Sequence, residues 1–188
     1  MHRYLIALGS NVPHPRHGRP EAVLRAALSA LSHPPLRLGL VSATMTSAPV
    51  GPSQRRYANA AAVLCAPWSP EAMLTHLKAL ERSFGRRSLG QRWRARVLDL
   101  DIVLWSGGRH ASRELLVPHP RFRERLFVLR PAVRIARDWR DPISGLMLAH
   151  LTARLTRPRA APTAHPTRTR RRARGPLAQS VEQLTFNQ

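Results

Sequence analysis

Residues 97–105, Val-Leu-Asp-Leu-Asp-Ile-Val-Leu-Trp, set two carboxylates inside an otherwise apolar run that ends in the turn Ser106-Gly107-Gly108. On a strand, where side chains alternate, Asp99 and Asp101 share one face while Leu98, Leu100 and Ile102 share the other. Two residues of strand separate the carboxylates by about 7 Å. Such a pair is costly to bury unless water or a metal ion reaches it. The chain must therefore cover one face of this strand and leave the acidic face open to solvent or to a ligand.

The other segments supply partners for such a strand. Residues 4–8 form a short apolar run stopped by Gly9-Ser10-Asn11, which predicts a buried strand leading into a turn. Pro20 and Glu21 suit a first helical turn, with Leu24, Ala27, Leu28 and Leu31 at helical spacing and Pro34-Pro35 as the stop. Residues 36–47 predict one strand, 48–56 a loop, and 57–65 another strand. Ser69 and Pro70 provide an N-cap and a first helical position, and Met73, Leu77, Leu80 and Phe84 follow as a stripe. Residues 125–136 have helical spacing interrupted by Pro131. The order β-α-β-β-α-β predicts an α+β fold, a ferredoxin-like α/β sandwich with a mostly antiparallel sheet.

Charge suggests a different idea. Lys and Arg number 31 against 10 Asp and Glu, a net charge of +21, and Lys78 is the only lysine. So basic a chain points first to nucleic acid. Residues 154–188 hold eight arginines and a single acid, Glu182, however, and carry +7 of that total. Residues 157–176 are almost wholly Arg, Pro, Thr and Ala without apolar periodicity, so 154–188 predicts a disordered basic C-terminal tail beyond a domain at 1–153. The final stretch from Gly175 resembles a translated tRNA gene, as if the reading frame had overrun an ancestral stop. Nucleic acid is expected as a partner only through this tail, because the body lacks closely spaced aromatics for base stacking. Cys65, alone and in an apolar strand, excludes an intrachain disulfide and implies a reducing compartment and a buried position. No apolar run approaches the roughly 20 residues that cross a bilayer, and residues 4–8 are too short for a signal peptide. The expectation is a monomeric cytoplasmic protein with no membrane partner.

The chemistry concentrates around the acidic pair. From Arg82 to Arg96 the chain has six arginines and no acid, and the two aspartates follow at once. A divalent cation such as Mg²⁺ takes oxygen ligands of this kind and keeps positions for phosphate. Guanidinium groups beside it suit phosphoryl transfer, which depends on positioning and charge stabilisation. The plainer alternative is a half-exposed strand whose aspartates pair with neighbouring arginines. His119, held between Pro118 and Pro120, either donates to a phosphate or caps a loop. Tyr57 and Asn59 share a strand face, an aromatic surface beside an amide able to read a ring edge. His14 and His17 have a possible metal spacing but no carboxylate or cysteine near them.

In this order and spacing, Gly9-Ser10-Asn11, Pro49-Val50-Gly51-Pro52, Tyr57, Asn59, Gly85-Arg86, Arg92-Trp93, Arg96-x-x-Asp99-Leu100-Asp101-Ile102-Val103, Val117-Pro118-His119-Pro120, Arg125 and Phe127 resemble one family. It is the 6-hydroxymethyl-7,8-dihydropterin pyrophosphokinases of folate biosynthesis, and the resemblance covers residues 4–148. It implies transfer of the β,γ-diphosphate of ATP, the co-substrate, to the hydroxymethyl-dihydropterin, with release of AMP. On that resemblance Asp99 and Asp101 hold two Mg²⁺ ions. Arg86, Arg96, His119 and Arg125 grip the triphosphate, and Arg86 and Arg96 are counted with the aspartates as catalytic. Trp93 belongs to the ATP site. Tyr57 and Phe127 sandwich the pterin, Asn59 bonds its edge, Ser47 lies nearby, and Glu81 lines the site. The resemblance also implies that the loops at 48–56 and 86–95 close over the substrates. Two departures bear on phosphate affinity and that closure: Ser88 and Leu89 stand where the family commonly has a second basic residue, and Arg94-Ala95 replaces a common Gly-Pro. A different two-metal enzyme, a nucleotidyltransferase, would use the same pair but release pyrophosphate.

Overall fold

A computed structural model describes residues 1–48, 55–85 and 96–158. Its central strand is β1 (His2–Ser10), flanked by β4 (Tyr57–Ala66) on one side and β5 (Asp99–Trp105) on the other, both antiparallel to it. Two further strands, β2 (Arg37–Val41) and β3 (Met45–Ser47), pair antiparallel with β4, so the order is β2-β4-β1-β5. β1 and β2 therefore run in the same direction with β4 between them, joined by α1 (Pro20–Ala30). β4 and β5 do the same around β1, joined by α2 (Pro70–Ser83). The protein is an α+β fold on a mostly antiparallel sheet. β6 (His110–Ala111) and β7 (Leu116–Val117) form a separate small ribbon.

Helices cover both faces, which explains why β1 and β4 are almost continuously apolar. On one face Tyr4, Ile6, Leu8, Leu100 and Ile102 meet Val23, Leu24, Met73 and Leu77 of α1 and α2. On the other, Leu5, Ala61, Val63, Val103 and Leu104 meet α3 (Leu126–Ile135) and α4 (Leu148–Thr156). Each fully buried aliphatic side chain contributes about 1.5–3 kcal/mol. Ser69 caps α2 as expected, accepting from the Ala72 amide at 3.3 Å. α3 runs through Pro131, whose missing N–H removes only the bond that Phe127's carbonyl would accept.

Several local expectations need correction. Gly9 and Ser10 do not turn; they extend β1, because β4 and β5 both offer ladder partners there. The single strand expected over 36–47 is two, separated at Ser42. The Ser42 amide donates to Ala61's carbonyl at 2.9 Å, and the Ser42 hydroxyl accepts from Ala61's amide at 2.9 Å. A side-chain oxygen has replaced a backbone carbonyl in the ladder, and the strand breaks there. α1 ends at Ala30, before the prolines, with Ser32 Oγ donating to Ser29's carbonyl at 2.6 Å. Cys65 is half-buried rather than buried, opposite the exposed Arg3 and Arg37 at the rim of the sheet. The compact unit is Met1–Arg157, with α4 crossing residue 153, and the stretch 159–188 lies outside the described residues.

Candidate active site

The site arises where cover and sheet part company. Register places Asn59, Gly9 and Asp99 side by side in one row across β4, β1 and β5, and Ala61, Ala7 and Asp101 in the next row but one. All six lie on the face covered further along by α3 and α4. Gly9 has no side chain and Ala7 only a methyl group, so a cavity of about 510 Å³ opens above them. A Cβ added at Gly9 would stand 4.0 Å from both Asn59 Oδ1 and the Asp99 Cβ, which puts this glycine between the two polar walls.

One wall comes from β3 and β4. Asn59, 4% exposed, donates its Nδ2 to Ser47 Oγ at 2.9 Å and to the Tyr57 carbonyl at 3.2 Å. Its Oδ1 then faces the cavity floor as an acceptor. Tyr57 pairs with Ser47 in the ladder, and burial pushes its phenol pKa up. Phe127, on the first turn of α3, and Arg125 just before it also line the cavity, with the Arg125 guanidinium 5.7 Å from the Phe127 ring centre.

The opposite wall is charged. Arg96 is fixed by a reciprocal backbone clasp: its amide donates to Asn11 Oδ1 at 2.8 Å, and the Asn11 amide donates to its carbonyl at 3.1 Å. Its guanidinium bonds Asp99. Burial works against the Arg96 charge, but Asp99, with Asp101 and Glu81 adding, more than offsets it and the pKa rises. At Asp101, burial first and the Asp99 charge second push the carboxyl pKa up. His119 Nδ1 accepts from the Arg121 amide at 3.1 Å, which leaves Nε2 facing Asp101 at 3.9 Å. Burial lowers the His119 pKa, against the pull of Asp101. The cavity thus offers an aromatic and amide end, a pair of carboxylates, and a rim of basic groups.

The model of the family described as 7,8-dihydro-6-hydroxymethylpterin-pyrophosphokinase matches residues 5–137. The chain belongs to this family. A 2-amino-4-hydroxy-6-hydroxymethyldihydropteridine pyrophosphokinase of Pseudomonas aeruginosa is 40% identical over 154 residues, 80% of this chain and 90% of that one. Proteins of the same name from Bacillus subtilis and Synechocystis are 36% and 33% identical, over 71% and 80% of this chain and 77% and 74% of theirs. This pyrophosphokinase acts in folate biosynthesis, transferring the diphosphate of ATP to the hydroxymethyl-dihydropterin.

Of the residues the sequence singles out for the pyrophosphokinase site, nine line this one cavity: Ser47, Tyr57, Asn59, Arg96, Asp99, Asp101, His119, Arg125 and Phe127. Arg86 and Trp93 fall within 86–95, which with 49–54 lies outside the described residues. Glu81 is not among the described lining residues. It sits on α2, under the other face of β5, wholly buried, accepting from the Leu100 amide at 2.7 Å and from Lys78 Nζ at 3.0 Å. Ala7, Arg121 and Val128 line the cavity without having been singled out. Ala7 could be found only by knowing which strands flank β1. Arg121 carried a signal, its position next to His119-Pro120. No helix among the described residues is long and apolar enough to cross a membrane.

Proposed function

We propose that the cavity holds pterin and ATP together, the pterin at the aromatic and amide end and the triphosphate against Asp99, Asp101, Arg96, His119 and Arg125, in a monomeric cytoplasmic enzyme of ferredoxin-like topology. One observation carries this reading: acceptors for a cation and donors for phosphate share a single cavity with an aromatic pair and a buried amide. Tyr57 and Phe127 stack on the pterin ring, and Asn59 Oδ1 accepts from its edge, since the Asn59 Nδ2 is already engaged by Ser47. Arg96, His119 and Arg125, with Arg86 and Trp93 from outside the described residues, hold the nucleotide. The pterin hydroxyl gives up its proton to water as its oxygen attacks the β-phosphorus, the bond from that phosphorus to the α-phosphate oxygen breaks, and AMP leaves with its negative charge held by guanidinium groups.

The donor set fits Mg²⁺. Among the described residues no group of three or more His, Cys, Asp and Glu side chains could hold a metal by itself. Two carboxylates a strand step apart suit an ion that keeps most of its shell for water and phosphate. Burial and mutual repulsion at Asp101 are what a cation there would relieve. Asp99 and Asp101 would hold two such ions, which supply charge neutralisation along the phosphates.

The test is AMP formation from ATP, Mg²⁺ and 6-hydroxymethyl-7,8-dihydropterin. Asp99→Ala and Asp101→Ala should each reduce turnover to background while leaving the protein folded. Release of pyrophosphate in place of AMP would assign the site to nucleotidyl transfer, and full activity of either variant would remove the carboxylate pair from the mechanism.

A further inference from the structure

Behind the cavity wall lies a charged pair that touches no part of the cavity. Asp141, wholly buried, receives a bidentate contact from Arg123, Nε to Oδ2 at 2.7 Å and Nη2 to Oδ1 at 2.6 Å. It also accepts from the Ile143 and Ser144 amides at 3.1 and 3.2 Å and from the Ser144 hydroxyl. A carboxylate saturated by five donors is a fixed post, and a fork-to-fork guanidinium contact fixes orientation as well as distance. The Arg123 guanidinium lies over the Phe122 ring, 4.7 Å from its centre, and Phe122 is itself wholly buried.

What the post holds is the short 3₁₀ turn Phe122–Glu124. On one side of that turn the chain contributes His119, Pro120 and Arg121 to the cavity, and on the other Arg125 and Phe127. The turn's own contacts reach back into the same segment, Phe122's amide donating to the His119 carbonyl at 3.2 Å and Arg125's amide to the Phe122 carbonyl at 3.3 Å. Among the described residues, Arg123 is the one side chain of the segment 119–127 tied by a bidentate ion pair to a buried residue elsewhere in the chain.

We infer that Asp141 and Arg123 are positioning residues for the pyrophosphokinase reaction, setting from behind the placement of the His119–Arg121 and Arg125–Phe127 groups around both substrates. This rests on the assignment of the cavity to ATP and pterin. A pair that only stabilised the fold would, when broken, reduce the number of active molecules, so kcat would fall and KM would not move. A positioning pair shifts the groups that bind, so KM for ATP and for pterin rise together in protein that remains folded.

The experiment compares full-length wild type, Arg123→Gln, Arg123→Lys, Asp141→Asn and Arg140→Gln. Arg140 braces the same 141–145 turn from outside, donating to the Gly145 carbonyl at 3.0 Å, but does not contact the 3₁₀ turn. Steady-state kinetics are measured at a temperature where circular dichroism shows each variant folded. Arg123→Gln and Asp141→Asn should each lower kcat/KM roughly ten- to a hundredfold, mainly through KM for both substrates. Arg123→Lys, which keeps the charge but not the fork, should fall between them and wild type, and Arg140→Gln should match wild type. Unchanged KM values in Arg123→Gln, or an equal rise in Arg140→Gln, would overturn the inference. An inactive wild type would instead overturn the assignment of the cavity.

Discussion

The floor of the cavity offers a sharp test, because stability and activity should move in opposite directions when Gly9 becomes Ala. The added methyl group would stand 4.0 Å from Asn59 Oδ1 and from the Asp99 Cβ, ordinary contact distances, and Gly9 has no left-handed φ for an L-residue to strain. Nothing in the folded state resists the change. The unfolded chain loses freedom, which stabilises the protein by about 0.4–1 kcal/mol. For a folded unit of 157 residues that raises the melting temperature by about 1–4 °C. The methyl group nevertheless occupies the space between the amide and the carboxylate where the substrates must meet. It lifts them by about one bond length, roughly 1.5 Å, and misplacement on that scale costs on the order of a hundredfold in rate. Differential scanning fluorimetry and AMP formation at varied pterin concentration read the two effects separately. Wild-type kinetics with a raised melting temperature would show that the substrates do not lie on this floor. A melting temperature lowered by several degrees would show that the space above Gly9 does not exist.

Two further predictions concern the fold. Ser42→Ala removes the oxygen that Ala61's amide uses in the ladder, stranding a buried donor at a cost of about 1–3 kcal/mol. The melting temperature should fall by several degrees with kinetics unchanged, and an unchanged melting temperature would show that Ser42 is not a ladder partner. Asp141 governs acid stability. Burial pushes its carboxyl up, but Arg123, Ser144 and the Ile143 amide hold it down at about 2, below the unfolded value of 3.8. Its contribution, about 2 kcal/mol, is therefore complete above the unfolded value and is lost as pH falls through about 2. Acid titrations followed by circular dichroism should show the wild type and Asp141→Asn converging in stability between about pH 4 and pH 2. Parallel curves through that window would refute the linkage.

Much of this arrangement is legible in the sequence, and the reason is periodicity. Alternation alone places Asp99 and Asp101 on one face of β5 and Leu100 on the other. Helical spacing marks the apolar face of α2, and the Ser69-Pro70 pair marks its start. These are properties of neighbouring residues, whose geometry the backbone dictates. The breaks in that legibility have equally local causes. A serine that imitates a backbone carbonyl splits one strand into two, and a proline one turn into α3 leaves the helix intact.

The cavity itself depends on contacts that no periodicity encodes. Gly9 reads as a turn residue until β4 and β5 close on either side and place it between Asn59 and Asp99. Glu81 reads as one more polar residue on a helix until packing buries it beneath the Leu100 amide. Asp141 and Arg123 are unremarked charges until the chain folds them together and sets the wall that carries His119 and Arg125. Spacing along the chain decides which way a side chain points within its own element. Register and packing between elements far apart in sequence decide what it meets, because those distances are set by burial of the sheet on both faces rather than by any local bond.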